Sequence, residues 1–155
     1  MKVTIESVVT LKEITDDSVL DVCDLKVNES QETFVAPNAV SIAQAYFEQS
    51  AWFRAIYADD TPVGFVMLSL DYENADYYLW RFMLDARYQR FGFGRRALAL
   101  VETFVKSLPD ASKISTSVST DNHGPKAFYE SLGYVATGEF EEEEAVLEKT
   151  LVKTS

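Results

Sequence analysis

Four arginines and two glycines lie close together in the middle of the chain, where a strand passes into a helix. Within ten residues the chain places four of its 14 basic residues, although it has 25 acidic ones and a net charge of −11: Arg87, Arg90, Arg95 and Arg96. Gly92 and Gly94 allow tight turns because they carry no Cβ. The N–H groups that begin a helix carry partial positive charge and bind phosphate, and a bound anion would offset the unfavourable placement of arginines there. The segment therefore predicts a phosphate-binding loop that opens a helix.

The usual nucleotide folds do not fit this loop. Gly92–Ala97 matches the dinucleotide pattern G-x-G-x-x-G/A, but that fold starts with its glycine turn and continues through several βαβ units. Here the turn lies in the second half of a 155-residue chain, after three strands predicted to be antiparallel. The G-K-[ST] sequence of a P-loop does not occur either.

Two motifs of the chain resemble the acetyl-CoA signature of the GNAT N-acetyltransferases. Gln89–Gly94 looks like the family's Q/R-x-x-G-x-G/A sequence, and Asn122 followed by Ala127–Tyr134 looks like its second motif. The resemblance covers most of the chain and implies a GNAT-like acyl-CoA N-acyltransferase fold that transfers acetyl from acetyl-CoA directly to an amine. No metal is implied.

The resemblance also assigns residues to acetyl-CoA. The pantetheine would pair with the edge of the strand that ends at Leu84, and the pyrophosphate would lie on the amides from Arg90 to Arg95. The implied cofactor-binding residues are Phe82, Met83, Leu84, Gln89, Arg90, Phe91, Gly92, Phe93, Gly94, Arg95, Asn122, Lys126 and Tyr129. Tyr129 is the candidate general acid, although its position alone equally fits an interfacial tyrosine with a satisfied hydroxyl.

Within the superfamily, the chain is similar to bacterial spermine/spermidine acetyltransferases, on the segments Phe34–Asn38, Pro62–Met67 and Tyr78–Phe82. This implies a small polycationic acceptor. In those enzymes an acidic residue tends to occur where this chain has Trp80, so base catalysis from that strand is in doubt and Trp80 would instead form an apolar or cation-stacking wall. The candidate substitutes for the base on the acceptor side are Glu29, Glu32, Asp71 and Glu73, acting directly or through water.

Two alternatives stay open at this point. The acceptor is another amine, such as an amino acid, an aminoglycoside or a protein amine, or the chain binds CoA without turnover. The acidic run Glu141–Glu144 is expected to be a solvated hairpin tip.

Composition excludes several other classes of protein. A net charge of −11 disfavours nucleic-acid binding. A single cysteine, Cys23, and a single histidine, His123, rule out an internal disulfide and Cys-rich or His-paired metal sites. The N-terminus lacks a signal-peptide pattern, and no apolar run is long enough to span a membrane. We expect a cytoplasmic protein with a small-molecule amine substrate, and a homodimer by analogy with relatives.

These residues need a scaffold, and hydrophobic periodicity supplies its predicted elements. In order they are a strand near Val3–Val9, helices Asp16–Val27 and Ser41–Gln49, strands Trp52–Ala58, Val63–Leu70 and Tyr77–Leu84, helix Arg95–Leu108, strand Ile114–Val118, helix Gly124–Leu132, and strands Tyr134–Phe140 and Ala145–Val152. The pattern predicts one α/β domain of the α+β type over residues 1–155. Its central sheet is mixed and mostly antiparallel, with flanking helices.

Overall fold

The computed structural model describes residues 2–28, 31, 35–121 and 123–152. In chain order its elements are β1 (Val9–Lys12), α1 (Val19–Cys23), α2 (Asn38–Phe47), β2 (Ala51–Ala58), β3 (Thr61–Asp71), β4 (Asp76–Leu84), α3 (Phe93–Lys106), β5 (Lys113–Ser119), α4 (His123–Ser131), β6 (Val135–Glu141) and β7 (Glu144–Thr150). A short 3-10 turn, Ala86–Tyr88, precedes α3. The predicted order of strands and helices is confirmed.

The strands form one seven-stranded sheet in the order β1-β2-β3-β4-β5-β7-β6. Neighbouring strands pair antiparallel except β4 and β5, which run parallel. Helices α3 and α4 pack on one face, and α1 and α2 pack on the other. This arrangement confirms the predicted mixed, mostly antiparallel sheet flanked by helices.

The centre of the sheet is β3, whose residues from Val63 to Leu68 are all buried because helices cover both faces. Gly64 lies there for a steric reason. A Cβ at this position would lie 2.4 Å from the carbonyl oxygen of Met83 on β4. The glycine therefore lets β4 lie at its observed distance and fixes one side of the strand to which the cofactor was assigned.

The first predicted helix is much shorter than expected. The spacing predicts a helix over Asp16–Val27, but α1 ends at Cys23 and buries only Val22. The backbone beyond it pairs elsewhere: the Lys26 N–H donates to the Asp85 carboxylate at 2.9 Å, and the Lys26 carbonyl accepts from the N–H of Ala86 at 2.8 Å. A tertiary partner replaces the helical hydrogen bonds, which sequence periodicity cannot detect.

The first predicted strand is also displaced. Val3 and Ile5 were assigned to it, but β1 begins at Val9 and pairs with β2. The carbonyl oxygens of Ile5 and Ser7 instead accept hydrogen bonds from the guanidinium of Arg96 at 2.9 and 2.8 Å. The segment before β1 is therefore bound to the start of α3 through this arginine.

Candidate active site

A gap opens in the sheet between β4 and β5. The two strands pair only at Tyr78 with Ser115 and at Leu79 with Thr116. Immediately afterwards Trp80 forms a β-bulge, because Leu79 faces Leu68 on β3 whereas Arg81 faces Met67. A bulge bends its strand, and β4 diverges from β5 beyond this residue.

The diverging part of β4 leaves backbone groups free for a ligand. The Asp85 N–H donates to the Val63 carbonyl of β3 at 2.8 Å. Antiparallel hydrogen bonding alternates along a strand, so the peptide groups of Phe82 and Leu84 face the gap instead. The side-chain amide of Gln89 donates to the Leu84 carbonyl at 3.1 Å, in agreement with that direction.

A cleft of about 500 Å³ runs from this strand edge to the start of α3. Gly92 is the N-cap of α3 with a left-handed φ of 81°, a conformation that glycine adopts without strain. The cleft is lined by Gln31, Phe82, Met83, Leu84, Tyr88, Gln89, Arg90, Gly92, Phe93, Gly94, Arg95, Gly124, Pro125, Phe128 and Tyr129. Exposed helical N–H groups, two arginines and an open strand edge suit an extended ligand with a diphosphate and an amide-containing arm, as acetyl-CoA has.

Most residues assigned to the cofactor line this cleft, and two of the described ones do not. Phe91 packs into the core against Phe93, with ring centroids 5.3 Å apart. Lys126 lies half-buried on α4 away from the cleft lining. Asn122 lies outside the described residues.

The four clustered arginines divide into two pairs with different roles. Arg87 forms an ion pair with Asp85 at 2.8 Å, and Arg96 binds the carbonyls of the N-terminal segment. Arg90 and Arg95 are exposed and line the cleft. Two of the four arginines are therefore held by contacts within the protein, so the high arginine density has a structural cause.

Asp85 is a structurally important residue that the sequence analysis missed. Its buried carboxylate accepts hydrogen bonds from the backbone of Lys26 and from the backbone and guanidinium of Arg87, at 2.8–2.9 Å. Burial alone would raise the pKa of Asp85, but these hydrogen bonds and the charge of Arg87 lower it below its ordinary value. Asp85 thereby connects the end of β4 to the chain after α1. An aspartate that caps a short turn is the sequence signal for such a residue.

Tyr129 lies where two clefts meet. It lines the 500 Å³ cleft and also a second cleft of about 740 Å³ on the other side of the gap. Its side chain is buried, with ring centroids 5.3 Å from Phe128 and 5.4 Å from Tyr134. Burial raises the pKa of Tyr129, and the Thr116 side chain opposes this in part. The hydroxyl therefore stays protonated at neutral pH.

The second cleft is lined by Val35, Ala36, Pro37, Tyr78, Leu79, Trp80, Arg81, Phe82, Thr116, Ser117, Val118, Ser119, Pro125, Tyr129, Glu141 and Glu144. Trp80 was assigned to the acceptor and does form part of its wall. The acidic run is exposed, as a hairpin tip should be, but Glu141 and Glu144 also face into this cleft. The sequence analysis did not assign them to the site.

Arg81 is the cation in this cleft. Its guanidinium donates to the Gln44 side chain at 3.1 Å and to the Trp80 carbonyl at 3.2 Å. Its Nε atom is buried and has no hydrogen-bond partner among the described residues. Burial lowers the pKa of Arg81, and the nearby Tyr78 and Glu144 oppose the shift.

Two other residues assigned to the acceptor, Asp71 and Glu73, lie outside this cleft. Asp71 and Glu73 line a separate cavity of about 500 Å³ at the β3–β4 turn, which shares Tyr78 with the second cleft. The Asp71 carboxylate accepts hydrogen bonds from Asn74, which lower its pKa. Glu29 and Glu32 lie outside the described residues.

Two further features concern metal and membrane. Among the described residues, no group of three or more His, Cys, Asp and Glu side chains is arranged to hold a metal ion. In the same part of the chain, no helix has both the length and the apolar character needed to cross a bilayer.

Comparison with known proteins agrees with this architecture. The profile of the acetyltransferase (GNAT) family matches residues 21–134. A spermine/spermidine N(1)-acetyltransferase of Bacillus subtilis (strain 168) is 26% identical over 141 residues, which cover 86% of this chain and 91% of that protein.

Two solved structures share the fold. A spermidine N-acetyltransferase from Vibrio cholerae, in complex with CoA and spermine, superposes with a TM-score of 0.72 at 15% identity, over 92% of this chain and 95% of that one. The PaiA N-acetyltransferase from Thermoplasma acidophilum, in complex with coenzyme A, gives 0.70 at 15% identity, over 92% and 99%. The likeness confirms the predicted acyl-CoA N-acyltransferase architecture.

Proposed function

The chain belongs to the acetyltransferase (GNAT) family and is an acetyl-CoA-dependent N-acetyltransferase, and from that premise we propose that it acetylates a primary amine of a small polycation such as spermidine or spermine. The observation that carries the proposal is the pair of carboxylates, Glu141 and Glu144, in the cleft that contains Tyr129. Carboxylates at the mouth of a cleft raise the local concentration of a polycation. The net charge of −11 acts in the same direction.

In this proposal the smaller cleft holds acetyl-CoA. Arg90, Arg95 and the N–H groups after Gly92 would bind the diphosphate, and the peptide groups of Phe82 and the Leu84 N–H would pair with the pantetheine arm. The bound acetyl-CoA supplies the acetyl group as a thioester. Backbone N–H groups at the strand edge are the donors suited to a developing oxyanion.

Tyr129 would act as the general acid. It lines both clefts, so its hydroxyl lies where the two substrates must meet. Because burial raises its pKa, it keeps its proton until the leaving thiolate needs one. Trp80, in place of the acid expected on β4, would contribute an apolar wall.

A second acceptor class has its own support. The second, larger cleft, which contains Tyr129 and Trp80, is the acceptor cleft of this proposal. Arg81 places a guanidinium in it, and arginine binds carboxylates well. An amino acid would use this group together with the carboxylates of the cleft.

Asp71 and Glu73, in the adjoining cavity, would bind the distal end of a longer polycation.

The test is thiol release from acetyl-CoA with spermine, spermidine, lysine and an aminoglycoside at equal concentration. We expect release with the polyamines well above hydrolysis, weakening with added salt because the attraction is electrostatic. Faster release with lysine, lost in Arg81→Gln, would replace the polycation by an amino acid. Absence of release with every amine, despite CoA binding, would contradict all the acceptors named here.

We further propose a homodimer in the cytoplasm. The edge strand β6 exposes Val135 and Phe140 at 64% and 63% of their surfaces, which is apolar area that a second copy would cover. Light scattering of the purified protein tests this, and a monomer at micromolar concentration would contradict the dimer.

A further inference from the structure

We propose that Tyr78, Ser117 and Glu144 form a proton relay that takes the proton from the amine acceptor and delivers it to solvent. The three side chains belong to three adjacent strands, β4, β5 and β7, and all line the acceptor cleft. The proposal rests on the proposed function only in that the acceptor is an amine, whichever amine it is.

The need for a relay follows from the acceptor. A primary amine has a pKa near that of lysine, about 10.4, so only about one molecule in 2,500 is neutral at pH 7. The nucleophile must be the neutral form. Trp80 occupies the strand position where a base was expected, and its indole accepts no proton.

The hydrogen bonds define the direction of transfer. The Ser117 hydroxyl donates to Oε2 of Glu144 at 3.4 Å, because an ionised carboxylate only accepts. Ser117 has one proton, so in its hydrogen bond with Tyr78 the tyrosine must be the donor. The hydrogen bonds therefore run from Tyr78 as donor to Ser117, and from Ser117 as donor to Glu144. The lone pairs of the Tyr78 oxygen remain available to an incoming N–H.

The two ends of the chain are suitably placed. Tyr78 is half-buried on the wall of the cleft, which Tyr129 also lines. Glu144 is exposed to solvent at the start of β7. The relay thus connects the reacting end of the cleft to the surface.

The proton balance is complete. The ammonium gives one proton to the Tyr78 oxygen, the Tyr78 proton passes to Ser117, and the Ser117 proton passes to the Glu144 carboxylate. The products are a neutral amine and a protonated Glu144, with Tyr78 and Ser117 regenerated. Glu144 then releases its proton to bulk water.

The charges around Tyr78 favour a relay over a phenolate base. Burial raises the pKa of Tyr78, Glu141 and Glu144 raise it further, and Ser117 and Arg81 lower it. The net shift is upward, so Tyr78 keeps its proton at neutral pH. A neutral tyrosine passes a proton on as it receives one, whereas it makes a poor stationary base.

Ser117→Ala tests the relay because it removes the middle hydroxyl and leaves Tyr78 and Glu144 in place. We expect kcat/KM at pH 7 to fall about 100-fold, the lower end of the range for loss of a general base. The loss should shrink as the pH approaches the pKa of the acceptor, where the amine arrives neutral. Ser115→Ala is the matched control, since Ser115 lies two residues earlier on β5 and does not line the cleft.

Glu144→Gln should reproduce the same pH-dependent loss, while Glu143→Gln, with the same charge change on the same hairpin, should not. If Ser117→Ala keeps the wild-type pH profile, the relay is wrong. If Glu144→Gln raises only KM, in a salt-dependent manner, Glu144 attracts the acceptor and takes no proton, which also overturns the relay.

A second measurement needs no acceptor. With 13Cζ-labelled tyrosine, the Tyr78 resonance should follow the titration of Glu144 in the wild type and lose that dependence in Ser117→Ala. A Tyr78 resonance insensitive to Glu144 would overturn the relay even if polyamine turnover were normal. Normal coupling without polyamine turnover would overturn the acceptor assignment alone.

Discussion

The two clefts that meet at Tyr129 differ in how their lining residues are distributed along the chain. The smaller cleft takes ten of its 15 lining residues from one stretch, Phe82–Arg95, which includes the glycine turn. The larger cleft is assembled from separate segments: the residues before α2, β4, β5, α4 and the β6–β7 hairpin. A site built from one stretch leaves a local motif in the sequence, whereas a site assembled from distant segments does not. The first could therefore be predicted from the sequence and the second could not.

Tyr129→Phe should have the largest effect, because Tyr129 belongs to both clefts. We expect kcat to fall about 100-fold or more, from loss of a general acid, with the KM for acetyl-CoA nearly unchanged. Steady-state kinetics measure this. Tyr46→Phe is the control, since Tyr46 is 85% exposed on α2, and an unchanged kcat in Tyr129→Phe would remove the tyrosine from the chemistry.

Asp85→Asn tests whether the cofactor cleft depends on its supporting carboxylate. We expect a loss of about 1–2 kcal/mol in the free energy of unfolding at pH 7, from weakened charged hydrogen bonds to a partly exposed Arg87. The folded pKa of Asp85 lies below the unfolded value of about 3.9. Its stabilisation is therefore present above about pH 4 and is lost as the pH falls through the folded value.

Urea unfolding at pH 7 and pH 3 measures this difference. The difference in the free energy of unfolding between wild type and Asp85→Asn should be smaller at pH 3 than at pH 7. The exposed turn variant Asp60→Asn serves as the control. An equal difference in the free energy of unfolding at both pH values would show that the ionisation of Asp85 does not stabilise the fold.

Arg95→Gln and Arg96→Gln should show the smallest effects, and each should change a different quantity: Arg95→Gln the KM for acetyl-CoA, and Arg96→Gln the thermal stability. Losing Arg95 should raise the KM for acetyl-CoA about fivefold, for about 1 kcal/mol of charged hydrogen bonding, and leave stability unchanged. Losing Arg96 should lower the midpoint of thermal unfolding, because its guanidinium binds the N-terminal carbonyls. Equal effects on KM would mean that the two arginines are not divided as the contacts indicate.

The sequence was informative where local chemistry decides the structure. The sheet architecture, the glycine turn before α3 and the position of Tyr129 followed from periodicity and motif. The short α1 and the displaced β1 did not, because Asp85 and Arg96 bind those segments from across the chain. The position of Glu141 and Glu144 in the larger cleft could not be predicted for the same reason: nothing local to Glu141–Glu144 indicates that β7 pairs with β5.

The bulge at Trp80 changes which residues of β4 face the larger hydrophobic core. Before it, odd-numbered residues, Tyr77 and Leu79, face the larger core, whereas after it even-numbered ones, Phe82 and Leu84, do so. Without Trp80 in the sequence of β4, core-facing residues would occur at every second position along the whole strand. The extra residue coincides with the point where β4 stops pairing with β5, after Leu79. The opening between these two strands is therefore associated with one additional residue in β4.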